Sequence, residues 1–151
     1  IAEYESNEPY DFIYSACDTV NYLTAEALRN LLGHIVSMLK PNAIFTFDIL
    51  NCAVFSDQNC CQSYKNGKVC FSFCRRRDGD RLLTELEISD GGRTFAESHT
   101  QYLFSVETVR KFAEEAGLKW VAAYEIFTEL SPKSDFEKYQ IVLQKTEKYR
   151  N

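Results

Sequence analysis

Two apolar runs bracket an amphipathic segment near the start of the chain, and no other feature restricts the fold as strongly. The runs are Tyr10-Asp11-Phe12-Ile13-Tyr14-Ser15-Ala16 and Ala43-Ile44-Phe45-Thr46-Phe47-Asp48-Ile49-Leu50. Both are apolar at nearly every position rather than at every second one, as in strands covered on both faces of a parallel sheet. Between them, Thr24 is an N-cap candidate and Glu26 sits in the first turn, while Leu28, Leu31, Leu32, Ile35, Met38 and Leu39 recur at three- and four-residue spacing. Lys40 suits the negative end of that helix and Pro41 cannot continue it, so a tight turn is expected before the second strand. The polar loop Cys17-Asp18-Thr19-Val20-Asn21-Tyr22-Leu23 leaves the carboxyl end of the first strand, where open α/β sheets bind ligands.

The remainder changes character. Residues 51–68 read as irregular, with Asn51, Asp57, Asn59, Asn66 and Gly67 as turn formers. Three strand-like runs follow, Val69 to Arg76, Arg81 to Ser89 and Arg93 to Leu103, separated by the hairpin signals Asp78-Gly79-Asp80 and Asp90-Gly91-Gly92. In the second run Leu82, Thr84, Leu86 and Ile88 share one face and Leu83, Glu85 and Glu87 the other, the alternation of a half-solvated antiparallel sheet. Ser105 then caps a second helix with the stripe Val106, Val109, Phe112, Ala113 and Ala116, and Gly117 is its left-handed stop. Leu118 to Phe127 and Tyr139 to Lys145 are strands, with a turn at Ser131-Pro132-Lys133-Ser134 between them and a charged, frayed tail from Thr146 to Asn151.

At 151 residues the chain suffices for one domain. Its net charge of −5 weighs against a nucleic-acid partner. The basic run Arg75-Arg76-Arg77 precedes Asp78-Gly79-Asp80 and reads as a solvated strand end. No apolar stretch approaches the ~18–20 residues of a membrane span, and no secretory signal is visible in the acidic, polar stretch from Ile1, so none is expected. The six cysteines lack any C-x-x-C pair, and Cys70 and Cys74 would stand about 13 Å apart along a strand, too far to share a zinc ion. Reduced thiols in a cytoplasmic protein are the expectation, with a disulfide through Cys60 or Cys61 only on oxidation.

In this order the elements resemble the carboxyl-terminal half of a class I S-adenosylmethionine-dependent methyltransferase of the small-molecule type. Residues Tyr10 to Leu23 look like that family's fourth strand and following loop. Leu39-Lys40-Pro41-Asn42-Ala43-Ile44-Phe45-Thr46-Phe47-Asp48 is similar to its "LKPGG" turn and fifth strand, with Asn42-Ala43 in place of glycines. Glu97-Ser98-His99 through Phe104-Ser105, then Ala116-Gly117-Leu118, resembles the return from an inserted sheet into the last helix. The resemblance implies an α/β fold. It would be the carboxyl-terminal part of a Rossmann-like sheet in strand order 4-5-7-6, with a small antiparallel β insert at residues 61–104 covering the active-site side. The family's glycine-rich turn and ribose-holding acid have no counterpart, the only adjacent glycines being Gly91-Gly92 in a hairpin turn. The resemblance therefore implies a partial domain, inactive alone, whose strand Tyr10 to Ala16 offers an open edge to a missing amino-terminal half or a second copy.

The implied function is methyl transfer from S-adenosyl-L-methionine to a small-molecule acceptor. The alternative is a non-catalytic half-domain that pairs with a complete methyltransferase and regulates it. By resemblance, Ser15, Ala16, Cys17 and Asp18 approach the methionine part of the cofactor. Asn21 and Tyr22, at the mouth of the same cleft, are substrate candidates, and Tyr22 reads equally as a staple on the first helix. Asn51 is a third substrate candidate. His99, on the third strand of the insert, is the catalytic candidate, able to take a proton from an amine or hydroxyl, or else a strand histidine satisfied by Glu97. Tyr102, Tyr124 and Phe127 are candidate pocket aromatics.

Overall fold

The computed structural model describes residues 8–55, 59–131, 133 and 135–146. The expected turn formers Asp57, Pro132 and Ser134 and the tail 147–151 lie outside them. Strand β1 (Tyr10–Ser15) leads through a loop and a single 3-10 turn (Thr19–Tyr22) into α1 (Ala25–Met38), and β2 (Leu39–Leu50) follows. Four strands, β3 (Cys60–Asn66), β4 (Val69–Asp78), β5 (Arg81–Ser89) and β6 (Thr94–Tyr102), then precede α2 (Val106–Glu115), β7 (Leu118–Glu125) and β8 (Lys138–Lys145).

The first sheet has the order β1-β2-β8-β7, which is the expected 4-5-7-6 order. β1 and β2 are parallel, and β8 runs antiparallel to both β2 and β7. Pairing of Phe47 with Ile141, Phe45 with Leu143 and Ile49 with Tyr139 puts all six on one face, and all six are buried. Leu28, Leu32 and Ile35 of α1 and Val109, Phe112 and Ala113 of α2 join them in one core. Truncating Phe45 or Phe47, both under 2 % exposed, would cost about 3–5 kcal/mol. The other face carries Thr46, Asp48, Gln140 and Lys138, with Gln140 donating to Thr46 Oγ1 at 2.6 Å, so β2 is less uniformly apolar in its surroundings than its sequence suggests.

Both helices start where their caps predict. Thr24 Oγ1 accepts from Ala27 N–H at 3.2 Å and Ser105 Oγ from Thr108 N–H at 3.1 Å. Gly117 closes α2 at φ 88. The expected tight turn before β2 is instead an irregularity within the strand. Tyr10 pairs with Leu39 and Phe12 with Ile44, and Asn42 absorbs the extra residues at φ 63, a left-handed conformation that asparagine tolerates.

The second sheet is an antiparallel meander, β3-β4-β5-β6. β3 replaces part of the segment expected to be irregular. Its sequence Cys-Cys-Gln-Ser-Tyr-Lys-Asn has no apolar period, and every side chain is exposed. It is a strand because β4 pairs with it from Cys60–Arg75 to Asn66–Val69 and because Cys61 and Cys74, directly opposite, form a disulfide with Cα atoms 4.1 Å apart. The expectation of fully reduced thiols is thereby corrected for that pair, while Cys17, Cys52, Cys60 and Cys70 are free. Leu50, Leu82 and Leu103, with Cys52 and Phe55 against them, form a second small core that joins the two sheets.

No helix among the described residues is long and apolar enough to cross a membrane.

Candidate active site

The carboxyl ends of β1 and β2, the amino end of β8 and one face of the second sheet converge on the loop that follows β1. Cys17 and Asp18 both take positive φ, at 59 and 48. Two adjacent non-glycine residues in this region cost about 1–3 kcal/mol each, strain that persists only where surroundings over-determine it. Here they do. Asp48 Oδ2, at the end of β2, accepts the Asp18 N–H at 2.9 Å. The Asp18 carboxylate takes hydrogen bonds from Gln101 of β6 and from Lys138 of β8. Lys138 Nζ also lies 4.0 Å from Asp48 Oδ2. Thr19 Oγ1 donates to the Ala16 carbonyl at 2.6 Å and tightens the turn.

Burial alone would lower the Lys138 pKa, but the hydrogen bond and charge of Asp18, with Asp48 and Glu137, outweigh it and raise it above 10.5. Asp48 Oδ1 is buried and has no hydrogen-bond partner in the structure. It is a buried acceptor in need of a donor, on the carboxylate whose other oxygen holds the loop.

Asn21 is fully buried. Its Nδ2 donates to the Tyr102 carbonyl at 2.7 Å and its Oδ1 accepts from Leu50 N–H at 3.0 Å. It ties the loop, the end of β2 and the end of β6 together. Asn51 is likewise 5 % exposed, donating to the Phe136 carbonyl at 2.8 Å and accepting from Ala53 N–H at 3.0 Å. Neither asparagine lines the cavities beside the loop. Phe127 points away at 91 % exposure, and neither it nor Tyr102 nor Tyr124 lines the cavities beside the loop.

Tyr22, 46 % exposed, does reach the cleft. Its hydroxyl lies 3.0 Å from His99 Nδ1, and His99 Nε2 lies 3.2 Å from Glu97 Oε2. One tautomer uses both contacts: Nε2–H donates to Glu97, and Nδ1 accepts from the tyrosine O–H. Burial first, then the Asp18 charge, raises the Tyr22 pKa against the opposing pull of Lys138 and Arg75, so the phenol stays protonated and the donor in this bond. Tyr22 and His99 border a cavity of about 240 Å³ that also meets Asp18, Phe71 and Phe73, with Glu97 behind the imidazole. Phe71 and Phe73 were legible as same-face residues of one strand but were not singled out. The arginine run is a solvated strand end at Arg76, which is exposed, while its neighbours have partners. Arg77 donates to the carbonyls of Gly79 at 2.8 Å and Cys52 at 3.0 Å, and Arg75 pairs with Glu137 at 3.2 Å.

No family model matches the chain, and no curated protein matches it. Solved structures do. An S-adenosylmethionine-dependent methyltransferase from Clostridium acetobutylicum superposes with a TM-score of 0.86 at 17% identity over 97% of this chain and 62% of its own. The methyltransferase CcbJ from Streptomyces caelestis gives 0.86 at 16% identity, over 97% of this chain and 61% of its own. CalS10, an amino pentose methyltransferase from Micromonospora echinaspora, gives 0.70 at 15% identity, over 96% and 62%. The chain has the Rossmann-like fold of class I S-adenosylmethionine-dependent methyltransferases and spans about six-tenths of the length of these structures.

Proposed function

We propose that the chain forms the acceptor side and the methionine end of a methyltransferase site acting on a small-molecule amine. The observation that carries this is the Glu97–His99–Tyr22 chain of contacts beside the strained Cys17–Asp18 loop. S-adenosyl-L-methionine, when bound, supplies a methyl group already activated on a sulfonium. Ser15, Ala16, Cys17 and Asp18 would hold its amino-acid end. The orphaned Asp48 Oδ1 supports that placement, because an α-ammonium group is the kind of donor it lacks. Nothing among the described residues fits the adenosine end, which is consistent with a chain spanning 62% of a similar methyltransferase.

The chain's own residues then handle a proton. An amine reaches the cleft as an ammonium ion and must shed a proton before its lone pair can attack. Tyr22 Oη takes that proton as its own phenolic proton passes to His99 Nδ1, and the Glu97 carboxylate stabilises the imidazolium that results. Phe71 and Phe73 keep water from the reacting nitrogen. The amine choice draws support from the amino pentose substrate class of one similar structure and from the carboxylate of Asp18 lining the cavity.

The edge strand β1 would complete the domain. Phe12 and Tyr14 stand 58 % and 53 % exposed there. A parallel strand from the unmatched part of such a domain, or from a second copy, is its proposed partner.

Titration with S-adenosylhomocysteine tests the cofactor reading. Backbone NMR shifts should gather at Ser15 to Tyr22 and Asp48, with a dissociation constant weaker than about 100 μM for this chain alone. No perturbation of that loop at millimolar ligand would end it. In the catalytically competent protein, Tyr22→Phe should lower kcat about 100-fold while leaving cofactor affinity unchanged.

A further inference from the structure

The inner face of the second sheet is a continuous floor. Register places Cys60, Arg75, Thr84 and His99 side by side across all four strands, and Gln62, Phe73, Leu86 and Glu97 in the next row. Three strand spacings separate His99 from Cys60, about 14 Å. The cavity at Tyr22 occupies the His99 end of this floor. A second cavity of about 480 Å³ occupies the Cys60 end, walled by Val54, Phe55, Leu82 and Glu137. Phe73 and Arg75 line both cavities, so the two are halves of one groove divided at those side chains.

The larger half is the size of a small-molecule site. Its walls mix apolar side chains, Val54, Phe55, Phe73 and Leu82, with polar ones, Gln62, Arg75 and Glu137. Its one cation and one anion, Arg75 and Glu137, are paired with each other at 3.2 Å, which leaves no net charge to meet a ligand ion. The Arg75 guanidinium lies 4.9 Å from the Phe73 ring centre, and its Nε is buried with no partner. Gln62 adds a carboxamide. A groove of this make-up suits an uncharged ring with an oxygen that can accept a hydrogen bond.

We propose that the acceptor is bipartite, its amine at Tyr22 and His99, and an uncharged aromatic or alicyclic body carrying a hydrogen-bond-accepting oxygen seated between Val54, Phe55, Phe73 and Leu82. This rests on the amine reading above and adds the shape and chemistry of the rest of the molecule. With Leu82 on β5 and Phe73 on β4, the ring centre stands between one and two strand spacings from His99 on β6, roughly 5–10 Å, the reach of a four-carbon linker.

The test compares 4-(4-methoxyphenyl)butylamine with butylamine by NMR titration of this chain. The aryl amine should perturb Val54, Gln62 and Leu82 as well as Tyr22 and His99, and bind at least tenfold tighter than butylamine, about the gain from burying a ring. Butylamine should perturb Tyr22 and His99 alone. Val54→Lys, at a rim position that is 36 % exposed, should abolish the aryl advantage and leave butylamine binding intact. Equal affinities, identical perturbation patterns or an aryl advantage that survives Val54→Lys would overturn the bipartite acceptor. Aryl-amine shifts at Val54 and Leu82 without any at Tyr22 and His99 would keep the distal subsite and overturn the amine reading instead.

Discussion

The carboxylate of Asp18 and the ammonium of Lys138 meet across 120 positions of chain, with Asp48 Oδ2 4.0 Å from the same ammonium. Lys138 contacts both the strained loop and a carboxylate that is 2 % exposed. Lys138→Met should therefore destabilise the fold by about 2–3 kcal/mol, somewhat under the range for a fully buried pair because Lys138 remains 27 % exposed. Adding Asp18→Asn should recover part of the loss. Urea denaturation measures both, and wild-type stability in Lys138→Met would mean that the pair does not hold the loop.

The same ammonium sets an alkaline limit. Its folded pKa is raised above 10.5. A cation with a raised folded pKa contributes fully below its unfolded value and loses that contribution as pH climbs through the folded one. The wild type should keep a constant advantage over Lys138→Met up to about pH 10 and lose it above. An advantage that instead disappears on acidification would assign it to another group.

Asn21→Ala should cost about 2–3 kcal/mol, because it leaves the Leu50 N–H and the Tyr102 carbonyl without the partner each has now. Thermal and urea unfolding suffice to measure it. Unchanged stability with weakened acceptor binding would restore Asn21 as a substrate contact.

Reducing the Cys61–Cys74 bond should act locally. It closes a segment with a sequence separation of 13, a constraint of about 3 kcal/mol for loops near that size. β3 buries none of its side chains and has little else to hold it. Dithiothreitol should speed amide exchange in β3 and its β4 partners by about 30–100-fold while Phe45 and Phe47 stay protected. Equal acceleration in both sheets would show one cooperative unit instead.

Sedimentation should show the chain associating at micromolar concentration through β1. Phe12→Lys with Tyr14→Lys should shift it toward monomer, since charges on an exposed edge oppose strand addition. A monomer at all concentrations in the unmodified chain would remove the edge as a docking site.

Much of the architecture was legible because its signals are local. Thr24, Ser105 and Gly117 mark helix ends through bonds or torsions within a few residues. The apolar runs of β1 and β2 announce the parallel pair. β3 was illegible because nothing in Cys60 to Asn66 favours a strand until β4 lies beside it. The burial of Asn21 and Asn51 was illegible for a related cause. An exposed loop asparagine and a buried clamp have the same sequence, and their partners Tyr102 and Phe136 stand 81 and 85 positions away. His99 and Tyr22 were found separately, but their contact spans 77 positions and needed the fold to bring it about. Lys138 gave no signal at all, as a lone lysine at a strand start.

The alternation along β4, β5 and β6 separates two kinds of constraint. Residues such as Phe73, Arg75, Thr84 and His99 face the groove, while their immediate neighbours Cys74, Arg76, Glu85 and Ser98 face the other way. A change at one parity alters what the groove accepts and leaves backbone pairing and the helix-packed core of the first sheet untouched. Such a sheet can be retuned residue by residue for new acceptors, with the clamped loop at Asp18 serving as the fixed point against which each variant is compared.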